Sequence, residues 1–322
     1  MPVSRKSFIL AKKYAMNNSF ANEEARCEYI FSTLGPFWHL YTPENHPVIL
    51  VTKEDYCAAM TLLAICALNF PNVRILTFQW MSNHLHVTLS GPEKDIVALF
   101  AMLKKYLGYY LKSIGREVSL EGWDYRMRRV DSLNDIRNVI AYNNRNGFLV
   151  YSNYSPYSYP WGANKCFFND DLAKRYEESG AVLRAEMIRR LFHTRALDSH
   201  SGLTLLDGYV CPLAFCDIKT AEGLFRNARH YFYSLSRNIE RMKAVADEIG
   251  ESIYYTDSDL FAALCSHCKE KYGIDKPQSL PPSGKAEMAR MMHFEYNAGV
   301  KQIARMLKID PALLESLGLS RG

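Results

Sequence analysis

The alternation of hydrophobic and polar positions over residues 36–150 predicts strands and helices in turn. Short runs rich in aromatic and β-branched side chains predict strands at 37–41, 74–80, 84–90 and 122–130. Apolar residues that recur every three to four positions predict helices at 53–69, 93–114 and 132–146. The short polar break at Ser82-Asn83 predicts a β-hairpin, which requires antiparallel pairing. We therefore expect an α+β fold, a ferredoxin-like antiparallel sheet flanked by helices, in preference to a doubly wound sheet.

The rest of the chain is helical in pattern and contains few chemical signals. Residues 151–162 are rich in Tyr, Ser, Asn and Pro and predict an extended exit from the first domain. Residues 285–294, 299–307 and 311–317 predict three successive helices, the last two in helix-turn-helix form. Because helix 311–317 has no cation or amide for base edges, we expect this tail to bind DNA weakly through Lys301, Arg305 and Lys308, or only to pack. The predicted divisions are 1–165, a helical middle region 166–250 of unknown role, and an α-helical C-terminal extension 251–322.

Composition sets the class of protein without identifying a function. The 322 residues are 48% hydrophobic and 23% charged, which is typical of a globular protein of about two domains. No run reaches the roughly 18 apolar residues of a membrane span, so we expect a cytoplasmic protein without a membrane partner. The formal net charge of +5 permits a nucleic-acid partner if the cations gather on one face.

Eight cysteines are scattered through the chain. Most lie beside core-like residues, which favours reduced, buried thiols over a disulfide framework. Cys211, Cys216, Cys265 and Cys268 also suggest zinc. Their spacing, with Cys265 and Cys268 inside an apparent helix, is a poor match to a zinc ribbon or finger, so we expect core cysteines.

Basic and aromatic residues are interleaved between residues 104 and 129. Cations neutralise phosphates and aromatic rings stack on unpaired bases, so this mixture suits single-stranded nucleic acid. The alternative is a solvated helix face with tyrosines that only pack. The predicted DNA-binding residues are Lys104, Lys105, Tyr109, Lys112, Arg116, Arg126, Arg128 and Arg129.

Two histidines and one tyrosine are the strongest candidates for chemistry. His84 and His86 are two apart on a predicted strand, so both imidazoles point to one face, as two ligands of a divalent ion do. The alternative is two surface histidines. Tyr142 and Asn146 share a helix face through their i, i+4 spacing. His39, on the first strand, is expected to pack or to face DNA instead of binding a metal.

These residues together resemble the single-tyrosine HUH transposases of insertion sequences, especially the REP-associated branch. The hallmark of that family, His-hydrophobic-His after Asn, stands here as Asn83-His84-Leu85-His86-Val87. The family's Tyr-x-x-x-Asn-Pro pattern is matched by Tyr142 to Asn146, with Gly147 in place of proline. The resemblance covers residues 36–162, and the C-terminal helices are similar to the DnaA-like tail of some members.

The resemblance implies a fold, a reaction and a set of ligands. It implies an HUH nuclease domain that holds Mg²⁺ or Mn²⁺ through His84, His86 and a third ligand, for which Asn146 is the candidate. Tyr142 would be the nucleophile, forming a 5′-phosphotyrosine in DNA transposition and recombination. The implied partner is single-stranded or hairpin DNA, bound by a monomer or homodimer associated with the nucleoid.

Three alternatives remain open from the sequence. The chain could be a domesticated, catalytically silent protein that binds DNA hairpins or regulates. It could be a replication-initiator or relaxase-type HUH nuclease, although those families usually order or space the tyrosine differently. If Tyr142 points away from the histidines, Tyr151 and Tyr154 are the next candidates for the nucleophile.

Overall fold

The computed structural model describes residues 20–150, 158–237, 245–246, 255, 257–316 and 318–319. The chain divides into two compact units, Met1–Leu235 and Ser236–Gly322. Each unit has its own hydrophobic core and is described separately. None of the helices among these residues is both long and apolar enough to span a membrane.

A four-stranded antiparallel sheet forms the centre of the first unit. Its strands are β1 Phe37–Tyr41, β2 Arg74–Trp80, β3 Leu85–Ser90 and β4 Arg126–Val130. They pair in the order β2-β3-β1-β4, so β3 is an inner strand between β2 and β1. The prediction of an α+β fold with an antiparallel sheet is confirmed, and the chain order β-α-β-β-α-β is that of ferredoxin-like units. The helices of this part of the chain are α1 Glu23–Leu34, α2 Lys53–Asn69, α3 Glu93–Ser113 and α4 Leu133–Val150.

The two faces of this sheet differ in chemistry because side chains alternate along each strand. One face is apolar, and there Trp80 of β2 stacks on Trp123, which stacks on Phe100 of α3. The other face is polar and is covered by α4. Its buried polar residues are His39, Thr77, Gln79, His86, Thr88 and Ser90.

The edge of β2 is protected by later parts of the same unit. Gly162 forms an antiparallel bridge to Gln79, and Cys216 forms a parallel bridge to Ile75. A covered edge cannot pair with another chain. Most of the predicted middle region, residues 166–235, therefore belongs to the same compact unit as the sheet. Its elements are α5 Asp170–Glu178, α6 Ala185–Phe192, β5 Leu205–Leu206, β6 Tyr209–Val210, α7 Ile218–Gly223 and α8 Ala228–Arg237.

The second unit, where described, is helical. Its core gathers apolar side chains from all four helices, such as Leu264, Met292, Ile303 and Leu314. Lys308 adopts a left-handed conformation with φ 50° and ends α11 before the next helix begins. The helices are α9 Asp257–Tyr272, α10 Pro282–Phe294, α11 Val300–Leu307 and α12 Pro311–Ser316.

Six of the eight cysteines are buried, as expected of core residues, whereas Cys57 and Cys265 are half-buried. Cys265 and Cys268 lie within α9 of the second unit, whereas Cys211 and Cys216 belong to the first unit. All eight thiols are free. No group of three or more His, Cys, Asp or Glu side chains that could hold a metal ion is present among the described residues.

Candidate active site

His86 is the second residue of β3, on the polar face of the sheet, and His84 lies directly before this strand. His86 is fully buried and His84 exposes 9% of its surface. Their ring centroids are 5.0 Å apart and the ring planes are nearly perpendicular, at 88°. The two imidazoles are therefore neighbours in a buried, polar environment, and they are not surface side chains.

Helix α4 brings the tyrosine and the asparagine to this pair. The Tyr142 ring meets His86 edge-on, with centroids 5.6 Å apart and planes at 88°. One turn later, Asn146 Nδ2 lies 3.3 Å from His86 Nε2. Tyr142 exposes only 2% of its surface. The i, i+4 spacing thus places a phenol and an amide on the same histidine within one chain, while Tyr151 and Tyr154 lie outside the described residues.

His39, which the sequence predicted to pack or to face DNA, is fully buried and packs against the other members of the site. It lies on β1 opposite Thr88, and its Nε2 atom is 3.4 Å from His86 Nδ1. The His39 ring centroid is 5.6 Å from that of His86 and 6.3 Å from that of Tyr142. Alternation along β1 indicates which face His39 occupies, but the register that brings it beside His86 is not visible in the sequence.

Asn83 holds the other histidine. Its amide nitrogen donates to the carbonyl oxygens of Glu44 and His46, the latter at 3.0 Å. Its amide oxygen lies 2.7 Å from His84 Nδ1. Asn83 therefore connects the loop before α2 to the ring of His84.

A layer of buried hydrogen bonds sets the position of α4 on the sheet. Asn143 Nδ2 donates to the Thr88 hydroxyl at 2.7 Å, and the Thr77 hydroxyl donates to Asn144 Oδ1. Asn144 Nδ2 in turn donates to the Tyr231 hydroxyl at 2.8 Å. Because a buried polar group without a partner costs free energy, these bonds select one rotation of the helix. That rotation directs Tyr142 and Asn146 to the histidines.

Gly147 allows the helix to approach the sheet closely. The predicted end of the helix at residue 146, just before Gly147, is wrong, since α4 continues to Val150. A Cβ atom at this position would overlap the Gln79 side chain and would lie 2.6 Å from Tyr159 Cγ. The Tyr159 ring is held by a hydrogen bond of 2.6 Å from its hydroxyl to the Trp80 carbonyl. The glycine is therefore required by packing and does not mark a helix end.

Burial keeps all three histidines neutral near pH 7. Burial lowers the pKa of His84 to about 4. Burial, with additional repulsion from His84 and His39, lowers the pKa of His86 well below its ordinary value. Burial and then the Arg128 charge lower the pKa of His39 to about 3, against a smaller opposite effect of Asn143. A neutral imidazole has a free lone pair, which is the form that binds a metal ion.

The chemistry of these donors fits a divalent cation. Asn146 Nδ2, not the amide oxygen, faces His86 in the metal-free chain. After rotation of this amide group, its oxygen and the two neutral imidazoles would form a mixed nitrogen and oxygen set, which suits Mn²⁺ well and Mg²⁺ less well. Because asparagine is not His, Cys, Asp or Glu, His84, His86 and Asn146 do not count as a group of three such residues among the described part of the chain. Two buried polar atoms next to the site, His39 Nδ1 and Asn143 Oδ1, also lack a hydrogen bond of ordinary geometry. Such atoms are uncommon in folded interiors and often mark functional sites.

The predicted DNA-binding residues separate into two groups. Four of the seven cations form ion pairs within the chain: Lys104 with Asp124, Arg116 with Asp55, Arg128 with Asp135, and Arg129 with Asp131. Lys105, Lys112 and Arg126 are exposed and have no ion pair among the described residues. Tyr109 is 53% exposed, and Lys105 Nζ lies 5.8 Å from its ring centroid.

Arg116 differs from the other paired cations because its partner is buried. Asp55 exposes 1% of its surface and accepts hydrogen bonds from Arg116 at 2.6 Å and from Tyr110 at 2.9 Å. Burial raises the pKa of Asp55, but the Thr52 and Val51 N–H groups and Arg116 outweigh it and the pKa lies below its ordinary value. This geometry gives Arg116 a structural role.

The candidate site therefore consists of a histidine pair at an inner strand of an antiparallel sheet, faced by a tyrosine and an asparagine from one helix. Comparison of the chain with known protein families, with curated proteins and with solved structures gives no match. The geometry and chemistry of the site are therefore the basis for the functional proposal.

Proposed function

We propose that the chain is a metal-dependent transposase and endonuclease of the single-tyrosine HUH type, similar to the REP-associated branch. It cleaves and rejoins single-stranded or hairpin DNA through a 5′-phosphotyrosine. The observation that carries this proposal is the position of Tyr142 and Asn146, which α4 holds against His86, whose ring neighbours that of His84. The function implies a cytoplasmic, nucleoid-associated protein that acts as a monomer or a homodimer.

His84, His86 and Asn146 are the residues that would hold Mg²⁺ or Mn²⁺. A divalent ion supplies positive charge that polarises the scissile phosphodiester. The two histidines contribute neutral nitrogen lone pairs, because their burial disfavours protonation. Asn146 would contribute its amide oxygen from the same helix that carries the nucleophile, once rotation of the amide group replaces the nitrogen that faces His86 Nε2 in the metal-free chain.

Tyr142 is the nucleophile. Its phenol oxygen forms a bond to phosphorus while the bond from phosphorus to the 3′ oxygen breaks. The phenol loses its proton to water and the departing 3′ oxygen gains one from water, so that it ends as a hydroxyl and no net proton is consumed. A second 3′-hydroxyl can then attack the phosphotyrosine and restore a phosphodiester, and no ATP is needed because the bond energy is kept in the covalent link.

The exposed cations Lys105, Lys112 and Arg126, with Tyr109, form the proposed DNA-binding surface. Lysine and arginine neutralise phosphates, and an exposed tyrosine ring can stack on an unpaired base. Lys105 already lies near the faces of two rings, Tyr106 and Tyr109. A surface of this kind favours single strands and hairpin loops over uniform duplex.

A covalent-adduct assay tests the reaction. Labelled hairpin DNA is incubated with protein and Mn²⁺, and the adduct is resolved on a denaturing gel. We expect an adduct with wild type and with the control Tyr233→Phe, whose tyrosine is exposed on α8, and none with Tyr142→Phe. Adduct formation by Tyr142→Phe at the wild-type level contradicts the assignment of the nucleophile.

A second candidate function is supported by the burial of the site. Because Tyr142 is 2% exposed and His86 is not exposed, a phosphodiester reaches them only after neighbouring groups move. A domesticated, catalytically silent protein that binds DNA hairpins or regulates through the same surface needs no such movement. Equal hairpin affinity of wild type and His84→Ala, with no adduct from either, supports this second function and contradicts the first.

A further inference from the structure

The Nδ1 atom of His84 has a partner whose chemistry is unambiguous. Both hydrogens of the Asn83 amide are directed to backbone carbonyls, those of Glu44 and His46. The atom 2.7 Å from His84 Nδ1 is therefore the amide oxygen, which can only accept. A neutral ring that donates from Nδ1 has its lone pair on Nε2.

The contacts of His86 lead to the same tautomer. On one side, Asn146 Nδ2 lies 3.3 Å from His86 Nε2, and an amide nitrogen can only donate. His86 Nε2 is then the acceptor, and the ring hydrogen is on Nδ1. On the other side, Nδ1 faces His39 Nε2 at 3.4 Å, and His39 Nε2 must accept that hydrogen.

The environment of His39 agrees with this assignment. If His39 Nε2 accepts, its own hydrogen is on Nδ1, which is buried without a hydrogen bond of ordinary geometry. Asn143 Oδ1 is buried and likewise lacks one, and Asn143 Nδ2 is already directed to Thr88. An N–H group and an amide oxygen are complementary, so Asn143 can orient His39 as Asn83 orients His84.

We propose that Asn83 and His39 are positioning residues that hold His84 and His86 in the Nδ1–H tautomer, so that both present an Nε2 lone pair to one divalent cation. The role of the cation rests on the proposed function, whereas the tautomers exist without it. A hydrogen-bond partner on the second ring nitrogen commonly orients metal-binding histidines, and its loss lowers metal affinity by about 10–100-fold.

The tautomers can be measured directly in the metal-free protein. Full-length protein with ¹⁵N-labelled histidine is treated with a chelator, and long-range ¹H–¹⁵N correlation spectra are recorded near pH 7. Single His→Gln variants assign the signals. We expect the Nδ1–H form for His84 and for His86. The Nε2–H form in either ring overturns the proposal.

Variants of His39 separate positioning from packing. His39→Phe keeps an aromatic ring without an acceptor, and His39→Gln keeps an acceptor. We expect His39→Phe to shift the His86 tautomer and to lower Mn²⁺ affinity, measured by electron paramagnetic resonance, by about 10–100-fold. We expect His39→Gln to remain within about threefold of wild type, because it restores the acceptor. Unchanged tautomer and affinity in His39→Phe overturn the proposal.

Asn83→Ala provides the corresponding test at His84 and does not depend on the folding of His39→Phe. We expect His84 in this variant to become a mixture of the two tautomers, while His86 keeps its Nδ1–H form. If His84 remains entirely in the Nδ1–H form in Asn83→Ala, the proposal is overturned. Failure of the proposed function has a different signature. If wild type binds no Mn²⁺ but both rings are Nδ1–H, the positioning role stands; if Mn²⁺ binds and either ring is Nε2–H, the positioning role fails.

Discussion

At the scale of residues, the site contains three imidazoles whose burial disfavours the protonated, charged form. His39 and His86 are fully buried and His84 nearly so. Their pKa values are lowered in the folded chain, to about 3 for His39 and about 4 for His84. In the unfolded chain, histidine has a pKa near 6.5. Unfolding at mildly acidic pH therefore takes up protons, which couples stability to pH.

The sign of this coupling gives the first prediction. A histidine with a lowered folded-state pKa favours unfolding as pH falls below about 6.5, because only the unfolded state binds the proton. We expect the free energy of unfolding to decrease from pH 6.5 to pH 4 by up to about 1.4 kcal/mol per pH unit for each buried histidine. Urea denaturation of chelator-treated protein across this range measures it.

His39→Gln is the matched control for the pH dependence, because glutamine does not titrate. Carboxylates titrate in both proteins and cancel in the comparison. As the pH falls, the free energy of unfolding of the variant should decrease less steeply than that of wild type. The difference in slope should correspond to the uptake of about one proton fewer on unfolding. Equal slopes in the two proteins contradict a buried, neutral His39.

The patterns of the predicted strand and helix indicate His84, His86, Tyr142 and Asn146 as site residues, and the structure brings them together. These residues are detectable because strand alternation and helical i, i+4 spacing are local patterns. His39 and Asn83 were not assigned roles at the histidines. Their contacts depend on strand register and on a loop 37 to 39 residues away in sequence, which no local pattern specifies.

At the scale of elements, the position of α4 determines the site. The predicted bounds of the preceding helices were close, 53–69 for Lys53–Asn69 and 93–114 for Glu93–Ser113. Their apolar stripes and caps are local signals. The end of α4 was predicted too early, at residue 146, because a glycine inside a helical pattern occurs either at a helix end or where the helix packs closely against another element. Only the packing of Tyr159 and Gln79 against Gly147 distinguishes them.

Gly147→Ala gives the second prediction. In an open helix, alanine is about 0.5–1 kcal/mol more stable than glycine. Here the new methyl group overlaps Tyr159 and Gln79, and overpacking costs about 1–3 kcal/mol. We therefore expect net destabilisation in urea denaturation, with weaker Mn²⁺ binding because α4 is displaced.

Gly108→Ala on α3 is the control for Gly147→Ala. A Cβ atom at Gly108 meets its nearest neighbour, Leu120 Cδ1, at 3.6 Å, an ordinary contact. This variant should be as stable as wild type or more stable. Stabilisation by both alanines contradicts the close approach of α4 to the sheet.

The cations on α3 and near its end give the third prediction. Arg116→Ala leaves the buried Asp55 carboxylate without its charged partner and should lower stability by about 2–4 kcal/mol. Lys105→Ala removes an exposed cation and should leave stability unchanged, but lower hairpin affinity and reduce the salt slope by about 1. Affinity titrations at several salt concentrations, with urea denaturation, measure both. Loss of stability in Lys105→Ala, or none in Arg116→Ala, contradicts this division.

At the scale of the whole molecule, two compact units follow one another along the chain. The sequence indicated a helical C-terminal region but not that residues 166–235 join the sheet unit. That association depends on long-range contacts such as the hydrogen bond from the Asp217 N–H to the Ile75 carbonyl at 2.7 Å. Contacts between residues so distant in sequence leave no periodic signal.

Removal of the second unit gives the fourth prediction. Because the first unit has its own core and contains the whole candidate site, a chain ending at Leu235 should unfold cooperatively and still form the DNA adduct. Thermal unfolding and the adduct assay measure the two properties. A chain ending at about residue 165, which lacks Tyr231 and the Cys216 bridge to β2, should not fold. Cooperative folding of that shorter chain contradicts the assigned unit.

The most direct test is to locate the covalent bond between protein and DNA. The adduct formed with hairpin DNA and Mn²⁺ is digested with protease and nuclease, and the modified peptide is identified by mass spectrometry. We predict a nucleotide linked through its 5′ phosphate to Tyr142. A link to another tyrosine, such as Tyr151 or Tyr154, or no adduct under conditions where the protein binds the hairpin, contradicts the proposed role of Tyr142.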